Sequence, residues 1–254
     1  MEILTHFEDH ILRIQINRPD KKNALTVAMY TEMAAALNQA EHDPAVRAVL
    51  IHGHPQVFSS GNDLQDFITH PPTGEDHPVF KFLVAISTAT KPIVAAVNGP
   101  AIGIGMTMLL HCDLVYAGAN ARFQLPFVNL ALVPEAASSM LLPMHIGYHR
   151  AAELLFLGEP FTAAVAHQFG LIAEVTADGD ELRSATAAAS KLAAKPPAAL
   201  RLTKLLMKKG MAAAVAKQMS EEGSHFVRQL QSPEVAEAFQ AFHEKRAPDF
   251  SKFS

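Results

Sequence analysis

Apolar residues come in short runs whose spacing changes along the chain. Residues 3–7 and 11–17 are rich in β-branched side chains and are separated by the turn-prone Asp9-His10, a pattern that predicts a hairpin. Thr26 is placed to cap a helix through TVAMYTEMAAALNQAEH, whose Ala, Met and Leu content favours helix and which stops before Asp43-Pro44. Residues 46–52 read as a compact apolar strand, and residues 54–61 are turn-rich. The segment from Pro71 to His77, containing Pro71-Pro72-Thr73-Gly74, is expected to be a surface lid. Helical composition over 79–89, a buried strand over 92–97 and a glycine turn over 98–105 follow, leading into the helical MTMLLH. Further strands are predicted over 113–116, around Phe123 and over 171–175. Pro134 is expected to open a helix, and beyond Arg150 the pattern is helical almost throughout. Alternating strands and helices followed by a helical region predict an α/β core over residues 1–195 and a C-terminal helical region over 196–254.

Composition narrows the function classes. Of 254 residues, 49% are apolar and the formal charge is -4, which gives no dense basic face for nucleic acid. No run of about 18 apolar residues marks a membrane span. The 13 histidines are scattered outside ligand-spaced motifs, so no metal is expected. Cys112 is the single cysteine and reads as a structural thiol. The N-terminus lacks signal-peptide character, and the expected location is cytoplasmic.

Two glycine turns carry the candidate chemistry: SSGNDL at residues 59–64 and NGPAIGIG at residues 98–105. Glycine permits sharp turns and close backbone approach, and a helix starting after such a turn presents free N–H groups. On glycine spacing alone each turn is a plain strand-to-helix connection, and Gly99, Gly103 and Gly105 do not fit the dinucleotide-binding fingerprint.

The segments FSSGNDLQDF, KPIVAAVNGPAIGIG, CDLVYAGANARFQLPFVNLALVPEAASS and AFHEKRAPDF, in that order, resemble the crotonase (enoyl-CoA hydratase/isomerase) superfamily over nearly the whole chain. The resemblance implies a spiral of ββα units, with C-terminal helices that build a homotrimer or a dimer of trimers. It also implies an acyl-CoA substrate and no cofactor, coenzyme A being part of the substrate. Two main-chain amides hold the thioester oxygen in that family, and they map onto Asn62 and Ile104. Ile104 stands where family members usually have glycine, but a main-chain donor survives that change if the turn is kept. The surrounding Ser60, Gly61, Asp63, Leu64 and Gly103, together with Phe127, are the implied substrate contacts.

Hydratases of this family carry two glutamates where this chain has Thr107 and Phe127, so the paired carboxylates for water addition are missing. A different carboxylate, Glu135 in VPEAASS, resembles the acid/base of peroxisomal-type Δ3,Δ2-enoyl-CoA isomerases and their bacterial relatives. It is expected at a helix start, where the helix dipole favours its charge, against an apolar wall of Phe127, Leu130 and Val133 that opposes it. Lys245 and Phe242 fall where the family contacts the CoA phosphates and adenine. Lys204, Lys208 and Lys209 read as a solvated helix face, Asp63, Asp66 and Asp113 as caps, and Met207, Met211, Val215 and Met219 as a packing face. Other reactions on the same amide pair (hydration, thioester hydrolysis, dehalogenation) and a non-catalytic acyl-CoA-binding scaffold are the alternatives.

Overall fold

The computed structural model describes residues 1–74 and 76–253. The elements in chain order begin with strands β1 (Ile3–Glu8) and β2 (Ile11–Ile16), helix α1 (Val27–His42), strand β3 (Ala48–His52), and helices α2 (Leu64–Thr69) and α3 (Pro78–Thr88). Strands β4 (Ile93–Val97) and β5 (Pro100–Ile102), helix α4 (Ile104–Thr107), strands β6 (Leu114–Gly118) and β7 (Arg122–Gln124), and helices α5 (Ser138–Ile146) and α6 (Tyr148–Ala152) follow. The chain closes with β8 (Phe161–Thr162), α7 (Ala163–Gln168), β9 (Glu174–Thr176), α8 (Glu181–Ala193), α9 (Pro197–Lys209), α10 (Ala212–Gln229) and α11 (Pro233–Glu244).

The larger sheet has the order β1-β2-β3-β4-β6-β9, antiparallel between β1 and β2 and parallel from β2 onwards. Its central strands, AVLIH and IVAAV, are buried and almost wholly apolar, as a parallel sheet covered on both faces requires. Strand alternation divides them between two layers. Val49, Ile51, Ile93 and Ala95 join the cluster that contains Met29, Met33 and Leu37 of α1 and Phe82 and Ile86 of α3. Ala48, Leu50, Val94 and Ala96 meet Ala185, Ala189 and Ala193, a row of small side chains along one face of α8.

The second sheet, β5-β7-β8, receives a strand from successive turns of the chain: β4 leads to β5 and α4, and β6 leads to β7 and then α5. This is the ββα repetition that the family resemblance implied. Local signals hold well at α1, where the Thr26 hydroxyl accepts the Met29 N–H at 3.3 Å. The helix after Pro134 differs from expectation: it begins at Ser138, because Ala136 and Ala137 both take left-handed conformations, at φ 59° and 56°.

The C-terminal helices are tied to the core by buried charge. Lys204, only 7% exposed, donates to Asp113 Oδ2 at 2.7 Å and to the Lys91 carbonyl at 2.7 Å. The expectation of a solvated face at Lys204 is therefore corrected, since its ammonium reaches inward past an otherwise polar helix surface. Lys208 Nζ also turns in, donating to the His111 carbonyl at 3.3 Å. Among the described residues no helix is long and apolar enough to cross a membrane.

Candidate active site

The two glycine turns lie against one another. Ser59 N–H donates to the Pro100 carbonyl at 3.0 Å, and Ile102 N–H donates back to the Ser59 carbonyl at 2.9 Å. Gly61 has φ +96°, and a Cβ there would stand 3.1 Å from the Ile102 carbonyl oxygen. At Gly105 a Cβ would come within 2.8 Å of the Ser59 carbonyl oxygen, so this residue is small because another backbone occupies the space.

This seam leaves two amides free. Gly61 C=O and Asp63 N–H both pair with Leu25, at 2.8 and 2.9 Å, so the Asn62 amide between them faces the opposite way, as alternation along an extended backbone dictates. Ile104 opens α4 after Gly103, and a first-turn N–H has no intrahelical acceptor. Among the described residues neither the Asn62 nor the Ile104 N–H meets an acceptor.

Side chains stiffen the first turn. The buried Tyr30 hydroxyl donates to Asn62 Oδ1. Burial, with Glu135 nearby, pushes the Tyr30 phenol well above its ordinary range and keeps it a neutral donor. Ser60 N–H donates to the Lys22 carbonyl at 3.1 Å, and Gly61 N–H to Ser59 Oγ at 3.2 Å. Asp63 caps α2, whose first residue is Leu64, by accepting from Gln65 and Asp66 N–H, and it pairs with Arg18 at 2.7 Å. Burial opposes the charge of Asp63, but Arg18 and the amide donors outweigh it and hold the carboxyl below its usual range. Asp66 accepts the Val27 N–H at 2.6 Å and Asp113 the Ile93 N–H at 2.7 Å, so all three aspartates receive backbone amides as expected.

Glu135 is 6% exposed and lines an apolar pocket with Phe67, Val79, Phe80, Leu83, Met219 and Phe226. Desolvation pushes its carboxyl up to about 7, the hydrogen bond donated by Thr107 Oγ1 at 2.8 Å lowers it, and the buried Glu222 raises it. A proton acceptor with that affinity can both take and return a proton near neutral pH. The wall differs from the sequence expectation. Phe127, Leu130 and Val133 are not among the side chains that line this pocket, which is drawn from α2, α3 and α10; Phe127 is 5% exposed and packs in the main core. Met219, expected on a packing face, faces the pocket, whereas Met207 is 78% exposed. Pro72, from the expected lid, also lines it, and Glu75 of that segment lies outside the described residues.

Glu135 does not stand in the first turn of a helix. It precedes the two left-handed alanines, and the α5 N-terminus is taken by Glu222, which accepts from Ala137 N–H at 2.6 Å and Ser139 N–H at 3.0 Å. Phe242 is 67% exposed on α11 and Lys245 is exposed at its end, and neither lines the pocket. Among the described residues no group of His, Cys, Asp and Glu side chains is arranged to hold a metal ion. Tyr30, Glu222 and His111, whose Nε2 donates to the Ala136 carbonyl at 2.8 Å, were missed by sequence reasoning.

Compared with known families, the chain matches enoyl-CoA hydratase/isomerase over residues 6–252. It is 37% identical over 209 residues to human enoyl-CoA delta isomerase 2, covering 80% of this chain and 53% of the human protein, so it spans about half of that relative's length. It is 31% identical over 250 residues to 2,3-dehydroadipyl-CoA hydratase of Escherichia coli strain K12, with 98% of each chain covered. Among solved structures, OdaA of Pseudomonas aeruginosa superposes with a TM-score of 0.93 at 46% identity, covering 95% of this chain and 98% of that one. Carnitinyl-CoA hydratase of Mycobacterium avium gives 0.90 at 32% identity, with 99% of each chain covered.

Proposed function

This chain belongs to the enoyl-CoA hydratase/isomerase family, and we propose that its reaction is migration of the double bond of a 3-enoyl-CoA to trans-2-enoyl-CoA. The observation that carries this reading is the solitude of Glu135: among the described residues it is the only ionisable side chain that lines the apolar pocket, with Thr107 beside it where a second acid would be needed for water addition. In the proposed reaction ionised Glu135 removes a proton from C2. The electrons move into a dienolate whose thioester oxygen accepts hydrogen bonds from the Asn62 and Ile104 amides. Glu135 then returns the proton at C4. One group acting alternately as base and acid needs no cofactor beyond the CoA that the substrate carries.

Donors fixed before the reaction stabilise charge as it develops, and one such donor is commonly worth about 3 kcal/mol. The remaining turn residues, Ser60, Gly61, Asp63, Leu64 and Gly103, set the backbone around the thioester, while Phe242 and Lys245 serve the CoA end. For assembly, Leu202, Leu205, Leu206 and Met207 form an exposed apolar row on α9, which supports a trimer-based oligomer of this chain.

A hydratase reading draws on the full-length similarity to the E. coli enzyme, and Thr107 and Phe127 stand against it. Incubation with 3-enoyl-CoA should yield 2-enoyl-CoA, seen by the absorbance of the conjugated thioester. Conversion of 2-enoyl-CoA to 3-hydroxyacyl-CoA at a comparable or higher rate would reverse the assignment.

A further inference from the structure

Glu222 lies on α10, 85 residues from Ala137, yet it is 5% exposed and its carboxylate closes on the turn that carries Glu135. Oε2 accepts the Ala137 N–H at 2.6 Å, and Oε1 accepts the Ser139 N–H at 3.0 Å together with the Ser139 hydroxyl. Gln218, one helical turn earlier on α10, donates to Ser139 Oγ at 2.9 Å, which leaves the serine proton for Glu222. Three donors and no acceptor face this carboxylate: burial raises its pKa above the usual range, and the hydrogen bonds from Ser139 and Ala137 oppose that and favour the ionised form.

What Glu222 grips is strained. Two successive alanines at φ 59° and 56° sit in the left-handed region, where Cβ crowds the following carbonyl oxygen. Nothing in their side chains favours that conformation, so the surroundings must hold it. His111 fixes the carbonyl of the first, and Glu222 fixes the amide of the second.

We propose that Glu222 is a positioning residue for Glu135: it locks the left-handed turn that aims the base into the pocket, and it sets a second negative charge beside that base. The inference rests on the reading of Glu135 as acid/base. Among the described residues, Tyr30, which feels Glu135, and His111, which bonds the Ala136 carbonyl, are both neutral. Tyr30 on α1 is held in its phenol form, and burial pushes His111, before β6, down to about 4, with Lys208, Lys204 and His145 adding to that depression. Among the described residues Glu222 is thus the one charged neighbour that raises the proton affinity of Glu135.

Two variants test this. In Glu222→Gln, which keeps the shape and removes the charge, the titration of Glu135 is followed by carbon NMR of labelled glutamate carboxyls, the Glu135 signal being identified by its loss in Glu135→Gln. The midpoint should fall by about half a pH unit or more, and the acid limb of the pH–rate profile should move with it. In Glu222→Asp, which keeps the charge but is too short to reach both amides, the midpoint should stay near that of the wild type. Its kcat should fall about tenfold or more with KM changed less than about twofold. An unmoved Glu135 midpoint in folded Glu222→Gln overturns the proposal. So does wild-type kcat in Glu222→Asp, the variant that decides if Glu222→Gln does not fold. If the wild type moves no double bond, the proposed reaction fails, but the NMR midpoint still tests the pairing.

Discussion

Thr107 donates its hydroxyl hydrogen to Glu135 at 2.8 Å, from the position where hydratases of this family resemble one another in carrying a glutamate. A position that carries an acid in hydratases here supplies a donor to a carboxylate that comes from a different part of the chain. One consequence follows for pH. Because the base must be ionised to take the C2 proton, kcat/KM of the wild type should rise with pH through a midpoint near 7 and be lost below it. Thr107→Val removes a hydrogen bond that favours the carboxylate, so the midpoint should move upward and activity at pH 6 should fall. Initial rates from pH 5 to 9 measure both.

Glu135→Gln should bind a CoA ester with little change and lose double-bond migration by about 10²- to 10⁴-fold, because an amide matches the carboxylate in shape but neither accepts nor returns a proton. Calorimetric binding beside single-turnover rates separates the two effects. Wild-type rates in a folded variant would exclude Glu135 as the base.

Ile104→Pro deletes one free amide at the first position of α4, where proline is tolerated. The variant should lose about 10²- to 10³-fold in kcat, the usual effect of removing one oxyanion donor. It should also melt at lower temperature, since the Ile104 side chain is 1% exposed. A melting shift with unchanged kcat would exclude this amide from the hole.

Lys204→Met breaks the pair between a buried ammonium and the partly exposed Asp113 and leaves that carboxylate with the Ile93 N–H as its remaining hydrogen-bond donor among the described residues. Losing a hydrogen bond between charged groups costs about 1.5 to 3 kcal/mol, and the partial exposure of Asp113 places the loss at the lower end. Urea unfolding should show the loss as a lower midpoint.

What the sequence made legible was local. The Thr26 cap, the apolar runs of β3 and β4 and the glycines at 61 and 105 each state their structure within a few residues. The start of α5 was misread because alanine gives no sign of left-handed backbone, which glycine or asparagine would have signalled. The buried carboxylate and ammonium contacts were invisible for another reason. Glu222 and Ser139 are 83 residues apart, and Lys204 and Asp113 are 91 apart, so only the folded chain brings them together. Periodicity treats a charged residue on a polar helix face as solvated and cannot see a long side chain reaching inward.

In the proposed reaction main-chain amides hold the thioester oxygen, and that has an evolutionary consequence. A donor that belongs to the peptide bond survives every substitution except proline, and here even isoleucine stands at 104 with its N–H still unengaged. Sequence drift can therefore relocate or delete the acid and base groups around the fixed polarising seat without dismantling it.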